Sequence, residues 1–199
     1  MEWITDFEIT TFVLAGGKST RMGSDKAFLE LGGRTLLART LDLAASIDSP
    51  VMIVGERIKF ARFGPVVEDI YHAHGPLGGI QAGLVSTMTE LNLILAVDLP
   101  FLRAEFLRYL ISRAQESSAA VTVPRALGGL QPLCAVYRKG FLEPADRSLR
   151  AEKNKIDALF AEVETRPIDQ NELRNAGFGE EMFRNVNTPD DWEKAQAEL

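Results

Sequence analysis

Short apolar runs alternate with segments of helical period along this chain, and this alternation limits the folds open to it more than any other feature. The run Leu91 to Val97 carries one polar residue and is typical of a strand buried on both faces of a parallel sheet. The pattern predicts an α/β fold with three layers, a mostly parallel sheet with helices on both faces. The predicted strands are 9–14, 51–54, 65–68, 91–97, 119–124 and 133–137, and the predicted helices are 36–47, 76–88, 104–115, 139–149, 155–160 and a last one that begins at Pro189, after Thr188.

Length and composition fit a single folded domain over residues 1–199. A chain of 199 residues buries roughly 70% of the surface of its unfolded form, so it needs no disulfide or metal to hold it together. The one cysteine, Cys134, cannot form an internal disulfide, and no apolar run approaches the roughly 20 residues of a membrane span. The first residues lack the basic start of a signal peptide, so we expect a cytoplasmic protein that does not bind membranes. The net charge of −6 argues against general binding of nucleic acid.

A glycine-rich, basic loop follows the first predicted strand and says most about function. It covers residues 14–26, with the sequence Leu-Ala-Gly-Gly-Lys-Ser-Thr-Arg-Met-Gly-Ser-Asp-Lys. Gly16 and Gly17 let the backbone pass close to a phosphate and aim N–H groups at it, while Arg21 and Lys26 add positive charge. The spacing matches neither the Walker A loop, which requires a glycine where Phe12 stands, nor the Rossmann pattern G-x-G-x-x-G. The loop predicts a triphosphate site, and a plain turn from strand to helix is the alternative.

The order of motifs resembles that of the molybdenum cofactor guanylyltransferases, also called molybdopterin-guanine dinucleotide synthases. The resemblance rests on the loop and on the segments 29–36, 74–79, 96–101, 131–133 and 185–189, so it covers about the whole chain. It implies a Rossmann-like nucleotidyltransferase fold. It also implies an enzyme that transfers GMP from GTP to the terminal phosphate of molybdopterin, or of its molybdenum-loaded form, with release of pyrophosphate. The implied protein partners are those that insert molybdenum and the molybdoenzymes that receive the cofactor.

Asp98 is the candidate metal ligand. It directly follows the predicted strand 91–97, and ligands of open α/β sheets bind beyond the carboxyl ends of the strands. A carboxylate there suits Mg²⁺, which completes its coordination shell with phosphate oxygens and water. The resemblance implies that Asp98 holds Mg²⁺ as the cofactor, and that Arg21 and Lys26 hold the triphosphate and stabilise the leaving group. The alternative is that Asp98 caps a helix that begins near Pro100.

The resemblance also assigns further residues to the two substrates. The residues expected to contact GTP are Leu14, Ala15, Gly16, Gly17, Lys26, Asp69 and Asp98, and those expected to contact the acceptor are Gly78, Asn185 and Asn187. Many relatives carry an asparagine where this chain has Val54 followed by Gly55, so one side-chain contact to the nucleotide is missing or comes from backbone. Simpler interpretations stay open. Asp69 would be a solvated loop carboxylate, and Gly78 would be part of a tight turn into a helix. Asn187 or Thr188 would cap the last helix, while Asn185 would close a turn.

Two other interpretations of function also stay open. The same loop and Asp98 would serve a nucleotidyltransferase that uses CTP or another phosphorylated acceptor. A protein that delivers the cofactor without catalysing transfer is the third hypothesis, and the intact set of Arg21, Lys26 and Asp98 argues against it. His72 and His74 have a spacing that suits a metal, but they are the only two histidines in the chain, so we expect no zinc site.

Overall fold

The computed structural model describes residues 8–16, 25–71 and 74–198. The strands within these ranges are β1 (Ile9–Leu14), β2 (Glu30–Leu31), β3 (Arg34–Thr35), β4 (Val51–Val54), β5 (Val66–Val67), β6 (Leu91–Ala96), β7 (Val121–Ala126), β8 (Gly129–Leu130), β9 (Cys134–Arg138) and β10 (Thr165–Ile168). The helices are α1 (Leu36–Ala45), α2 (Arg57–Phe60), α3 (Pro76–Ser86), α4 (Ala104–Gln115), α5 (Leu142–Arg150), α6 (Ile156–Leu159), α7 (Gln170–Asn175) and α8 (Pro189–Ala197). Short 3₁₀ turns lie at Lys26–Phe28, Lys139–Phe141 and Glu180–Phe183.

An eight-stranded sheet forms the centre of the molecule. Its strand order is β10-β7-β9-β6-β1-β4-β5, and β8 pairs with β7 in a hairpin beside this path. β9 runs antiparallel to its neighbours β6 and β7, whereas the other neighbouring pairs along the path are parallel. The predicted α/β fold with a mostly parallel sheet is therefore confirmed.

Helices cover both faces of this sheet, because successive residues of a strand point to opposite faces. Phe12 of β1 packs with α3 and α5 in one buried cluster, whereas Val13 packs with α1 and α4 in the other. Asn92, the polar residue of β6, is wholly buried, and its side-chain amide donates to the carbonyl of Tyr137 in β9 at 3.3 Å. The predicted three layers are thus confirmed. None of the helices in the described ranges is both long and apolar enough to cross a bilayer.

The observed elements follow the predicted ones, and the structure adds several short ones. Each predicted strand occurs, and α4 begins and ends at the predicted residues. The predicted helix 139–149 starts as a 3₁₀ turn before α5 begins at Leu142. The additions are β2, β3, β8, β10, α2 and α7. The hairpin of β2 and β3 turns at Gly32 and Gly33, whose φ angles of +60° and +74° favour glycine.

Candidate active site

Three parallel strands end at one level of the sheet and thereby bring the loop and Asp98 to the same edge. Leu14, the last residue of β1, lies in register with Val54 of β4 on one side and with Ala96 of β6 on the other. The Gly16 amide donates to the carbonyl of Val54 at 3.1 Å, so the loop leaves β1 alongside the end of β4. Asp98 follows the end of β6 after a single residue. The first turn of the loop and the turn at Asp98 therefore start from neighbouring strands.

The other end of the loop returns to Asp98 through Lys26. Its ammonium Nζ lies 3.2 Å from Oδ2 of Asp98, and the two side chains are only 21% and 20% exposed. Lys26 opens a 3₁₀ turn that Asp25 caps, since Oδ1 of Asp25 accepts from the amide of Ala27 at 3.2 Å. Arg103 occupies the N-cap position of α4, so Asp98 does not cap that helix. Asp98 is therefore not the N-cap of α4, the helix that follows it. The carboxylate of Asp98 instead faces the ammonium of Lys26.

Gly17 and Arg21 lie outside the described residues, so their predicted contacts with phosphate stay predictions. Of the remaining residues of the loop, Leu14 and Ala15 are buried and Gly16 is exposed. The amide of Ala15 donates to the carbonyl of Val54 at 3.0 Å, beside the bond from Gly16. The start of the loop is therefore held by backbone contacts.

Thr188 caps the last helix, α8, so the side chains of Asn185 and Asn187 do not cap it. Oγ1 of Thr188 accepts from the amide of Asp191, and Oδ2 of Asp191 accepts from the amide of Thr188 at 2.9 Å, which completes a capping box. A side-chain hydrogen bond from Thr188 to the Asp191 carboxylate, together with hydrogen bonds from the backbone amides of Asn187 and Thr188, holds the pKa of Asp191 below its ordinary value. Asn185 is exposed, while Asn187 is half-buried. The helix-cap alternative is therefore right for Thr188 and wrong for the side chain of Asn187.

Asn187 faces Lys26 instead. The Lys26 ammonium donates a hydrogen bond to Oδ1 of Asn187 as well as to Asp98. The adjoining backbone is tied to the same place, because the Val186 amide donates to the carbonyl of Asp98 at 3.0 Å. The structure thus brings together Lys26, Asp98 and Asn187, which the sequence had assigned to phosphate, metal and acceptor.

Asp69 lies against the beginning of α3. It follows β5, is half-buried, and accepts from the amide of Tyr71 through Oδ1 at 2.8 Å. A Cβ atom built on Gly78 would lie only 2.6 Å from Oδ2 of Asp69, so the glycine leaves the room that this carboxylate occupies. Gly75, the N-cap residue of α3, has φ of +66°, and Pro76 takes the first helical position. The start of α3 is therefore a tight turn into a packed helix, and Gly78 adjoins Asp69 within it.

Packing explains why no side chain extends from the end of β4. Val54 is almost wholly buried, and a Cβ atom on Gly55 would lie 2.7 Å and 2.8 Å from ring carbons of Phe60 in α2. A Cβ atom on Gly16 would in turn lie 3.4 Å from the Cα atom of Gly55. The two glycines thus let the loop after β1 and the turn after β4 pack together. Any contact from position 55 to a ligand comes from backbone.

The other candidate groups in the described ranges are not arranged for metal binding or nucleophilic attack. Within the described ranges, no set of three or more His, Cys, Asp and Glu side chains is arranged to hold a metal. His72 lies outside those ranges, and His74 makes a 2.8 Å hydrogen bond from Nδ1 to Oδ1 of Asn154. Cys134 is wholly buried, and burial raises the pKa of its thiol far above the ordinary value. The thiol is therefore a core group and does not act as a nucleophile.

The sequence had given no role to Asp25, although it stands next to Lys26. Besides capping the turn, its Oδ2 lies 3.4 Å from Nζ of Lys59 in α2. Asp is a favoured capping residue directly before a helical turn, and this was the available signal. The turn that carries Lys26 is thus held from both sides, by α2 and by Asp98.

The chain is similar to several known proteins. The model of the MobA-like NTP transferase domain matches residues 11–166. A probable molybdenum cofactor guanylyltransferase of Pelotomaculum thermopropionicum is 37% identical and aligns over 95% of this chain and 92% of its own length. A second protein of that name, from Carboxydothermus hydrogenoformans, is 35% identical over 94% of each chain. The crystal structure of molybdopterin-guanine dinucleotide biosynthesis protein A from Archaeoglobus fulgidus superimposes on this chain with a TM-score of 0.83 at 24% identity. The superposition covers 94% of this chain and 97% of the other, so the two proteins share a fold. The chain therefore belongs to the family of MobA-like NTP transferase domains and is a nucleotidyltransferase.

Proposed function

We propose that this nucleotidyltransferase transfers GMP from GTP to the terminal phosphate of molybdopterin, or of its molybdenum-loaded form, and releases pyrophosphate. Both named relatives carry the name probable molybdenum cofactor guanylyltransferase, and this chain spans more than nine-tenths of their length. The observation that carries the proposal is the 3.2 Å pairing of Lys26 with Asp98. It brings a cation that could bind phosphate beside a carboxylate that could bind a metal, at the sheet edge where the glycine loop begins.

The proposed reaction exchanges one phosphoanhydride bond for another. An oxygen of the acceptor's terminal phosphate attacks the α-phosphorus of GTP, and the bond from that phosphorus to the oxygen that bridges to the β-phosphate breaks. Pyrophosphate leaves with the electron pair of that bond. The attacking oxygen is already anionic at neutral pH, so the protein need not supply a strong base. Its task is to bring two anions together and to offset the charge that grows on the phosphates.

Cationic and amide donors would bind the triphosphate. An ammonium group has three N–H donors, and Lys26 lies at the start of a capped turn. We assign Lys26 and Arg21 to the phosphates, where they would stabilise the leaving pyrophosphate. The amides of Gly16 and Gly17 would line the same phosphates. The remaining contacts to GTP are assigned to Leu14, Ala15 and Asp69.

The donor set at Asp98 fits a divalent metal, and we propose Mg²⁺. The carboxylate is four-fifths buried at the end of β6 and offers hard oxygen donors. One protein carboxylate is enough, because phosphate oxygens and water complete the shell of this ion. Bound there, the ion would neutralise charge on the phosphates of both substrates.

The acceptor is assigned to the side of the site that α3 and the segment before α8 provide. Gly78 lies in the first turn of α3, and Asn185 and Asn187 flank the buried Val186. Side-chain amides both donate and accept hydrogen bonds, so they suit a phosphate and a pterin ring alike. The dinucleotide product would pass to molybdoenzymes, and the acceptor would come from proteins that handle molybdenum.

A direct test follows the product. Purified protein is incubated with Mg²⁺, molybdopterin and GTP labelled at the α-phosphate, and the label is followed into the dinucleotide. The same assay with labelled CTP separates the cytidylyltransferase alternative. Transfer from GTP and not from CTP is expected. Transfer from CTP alone would assign another nucleotide, and stoichiometric binding of both substrates without release of pyrophosphate would favour a delivery protein.

The Lys26→Ala variant tests the role of the lysine. Hydrogen bonds to a charged group contribute about 1.5 to 3 kcal/mol, so we expect turnover to fall between about tenfold and a hundredfold. Lys153→Ala, which removes an exposed lysine far along the chain, is the matched control. Thermal unfolding establishes that both variants are folded. A folded Lys26→Ala variant with wild-type turnover would remove the lysine from the mechanism.

A further inference from the structure

The side chain of Asn187 contacts Lys26, the lysine that is proposed to bind the triphosphate. Nζ of Lys26 donates to Oδ1 of Asn187 and to Oδ2 of Asp98, so these two oxygens engage two of the three ammonium donors. The contact joins residues that are 161 positions apart in sequence. The segment before α8 thus contacts the last residue of the glycine-rich loop through the side chain of Asn187.

Asn187 is itself held in place by backbone contacts on both sides. Its amide donates to Oδ2 of Asp191 at 3.1 Å, within the capped first turn of α8. The amide of Val186, which is buried, donates to the carbonyl of Asp98 at 3.0 Å. Because the backbone on either side of Asn187 is fixed, its side-chain oxygen offers Lys26 a defined position.

We infer that Asn187 is a positioning residue for Lys26, and that its amide oxygen places the ammonium where it meets the triphosphate. This inference rests on the proposed function, in which Lys26 binds the nucleotide. The amide nitrogen of Asn187 keeps its own N–H donors for the acceptor phosphate. The Asn187 side chain would then contact both Lys26, which binds GTP in this proposal, and the terminal phosphate of the acceptor.

The chemistry of an amide suits this place better than that of other side chains. A carboxylate at position 187 would add a second negative charge beside Asp98, where two anionic substrates have to meet. An apolar side chain would leave the half-buried ammonium of Lys26 with one oxygen partner fewer. An amide offers an oxygen to the cation and N–H groups to an anion, and carries no charge.

The test measures nucleotide binding with no acceptor present. Dissociation constants for GTP and for CTP, each with Mg²⁺, are compared between the wild type and Asn187→Ala. Loss of a hydrogen bond to a charged group predicts about tenfold weaker binding of the nucleotide that the wild type binds. Asn171→Ala is the matched control, because that exposed asparagine also accepts from a cation, Arg174, at the start of α7. It should bind nucleotide as the wild type does.

A second comparison separates positioning from a general loss of structure. In a Lys26→Met background, the added Asn187→Ala change should have no further effect on nucleotide affinity. Unchanged affinity in Asn187→Ala would overturn the inference and leave Asn187 to the acceptor. Additive losses in the double variant would also overturn it, since Asn187 would then act independently of Lys26. Failure of the proposed function is distinct, because it appears as absent transfer by the wild type, whereas the binding comparison needs only one of the two triphosphates.

Discussion

The Gly78→Ala substitution would place a methyl group against the carboxylate of Asp69, which the resemblance assigns to the base of GTP. A Cβ atom on Gly78 lies 2.6 Å from Oδ2 and 2.8 Å from Oδ1 of Asp69, whereas ordinary contacts of a Cβ atom begin near 3.4 Å. The carboxylate must therefore move by about 0.8 Å. Asp69 is short, so this movement turns the carboxylate and breaks its 2.8 Å hydrogen bond from the Tyr71 amide.

The expected effect on stability is small, and the expected effect on nucleotide use is large. Alanine is favoured over glycine within a helix by about 1 kcal/mol, and this gain offsets the loss of the Tyr71 hydrogen bond, which is worth about the same. A hydrogen bond from the base to a charged carboxylate contributes about 1.5 to 3 kcal/mol. Displacing Asp69 should therefore lower kcat/KM for GTP by about tenfold or more, while the free energy of unfolding changes by about 1 kcal/mol or less.

Initial rates of dinucleotide formation at varied GTP and saturating molybdopterin provide the assay. Gly140→Ala is the control, because a Cβ atom there has no neighbour within 4 Å and the residue is not assigned to either substrate. We expect Gly140→Ala to keep kcat/KM for GTP within about twofold of the wild type. If Gly78→Ala instead leaves kcat/KM for GTP unchanged and raises KM for molybdopterin, then Gly78 acts on the acceptor and the argument through Asp69 is refuted.

Two further predictions concern stability. Gly83→Val should lower the free energy of unfolding by about 2 kcal/mol in denaturant titrations, because a Cβ atom there lies 3.1 Å from the wholly buried ring of Phe12; wild-type stability would show that the helix can shift. Glu172 accepts from both terminal nitrogens of Arg166, at 2.9 and 2.7 Å, and this pairing holds the pKa of Glu172 below its ordinary value of 4.5. The stabilisation is present above that pH and is lost as pH falls through the lower, folded value. Glu172→Gln should therefore cost up to about 1 kcal/mol at pH 7 and progressively less below pH 4.5, and a cost independent of pH would contradict the assignment.

The sequence predicted the part of the fold that hydrophobic patterning determines. A buried parallel strand must be apolar over several residues, so β1 and β6 were recognisable, and the residue that follows such a run had to emerge at the carboxyl edge of the sheet. This reasoning placed Asp98 and the glycine loop at one edge. The 3.2 Å contact of Asp98 with Lys26 bears out their proximity.

Patterning could not predict the short elements or the long-range contacts. β2 and β3 have two residues each, too few for an alternation to show, although the Gly32-Gly33 pair is a hairpin signal that could have been used. The contact of Lys26 with Asn187 depends on how α8 and the segment before it return to the sheet edge. No local pattern records that return, so the asparagine could be assigned to the acceptor only by resemblance.

The missing asparagine after β4 shifts the proposed selection of guanine towards Asp69. Gly55 cannot carry a side chain, because the Phe60 ring occupies the space that a Cβ atom would need, and so position 55 contributes backbone alone. Guanine presents a ring N–H and an amino group side by side, and the two oxygens of a carboxylate can accept from both, whereas cytosine presents an amino group beside an acceptor nitrogen. A carboxylate with a fixed orientation would therefore distinguish the two bases. The Tyr71 amide and the bare Cα atom of Gly78 contribute to the orientation of Asp69, so we expect Gly78, which the resemblance assigns to the acceptor, to influence the carboxylate proposed for the base as well.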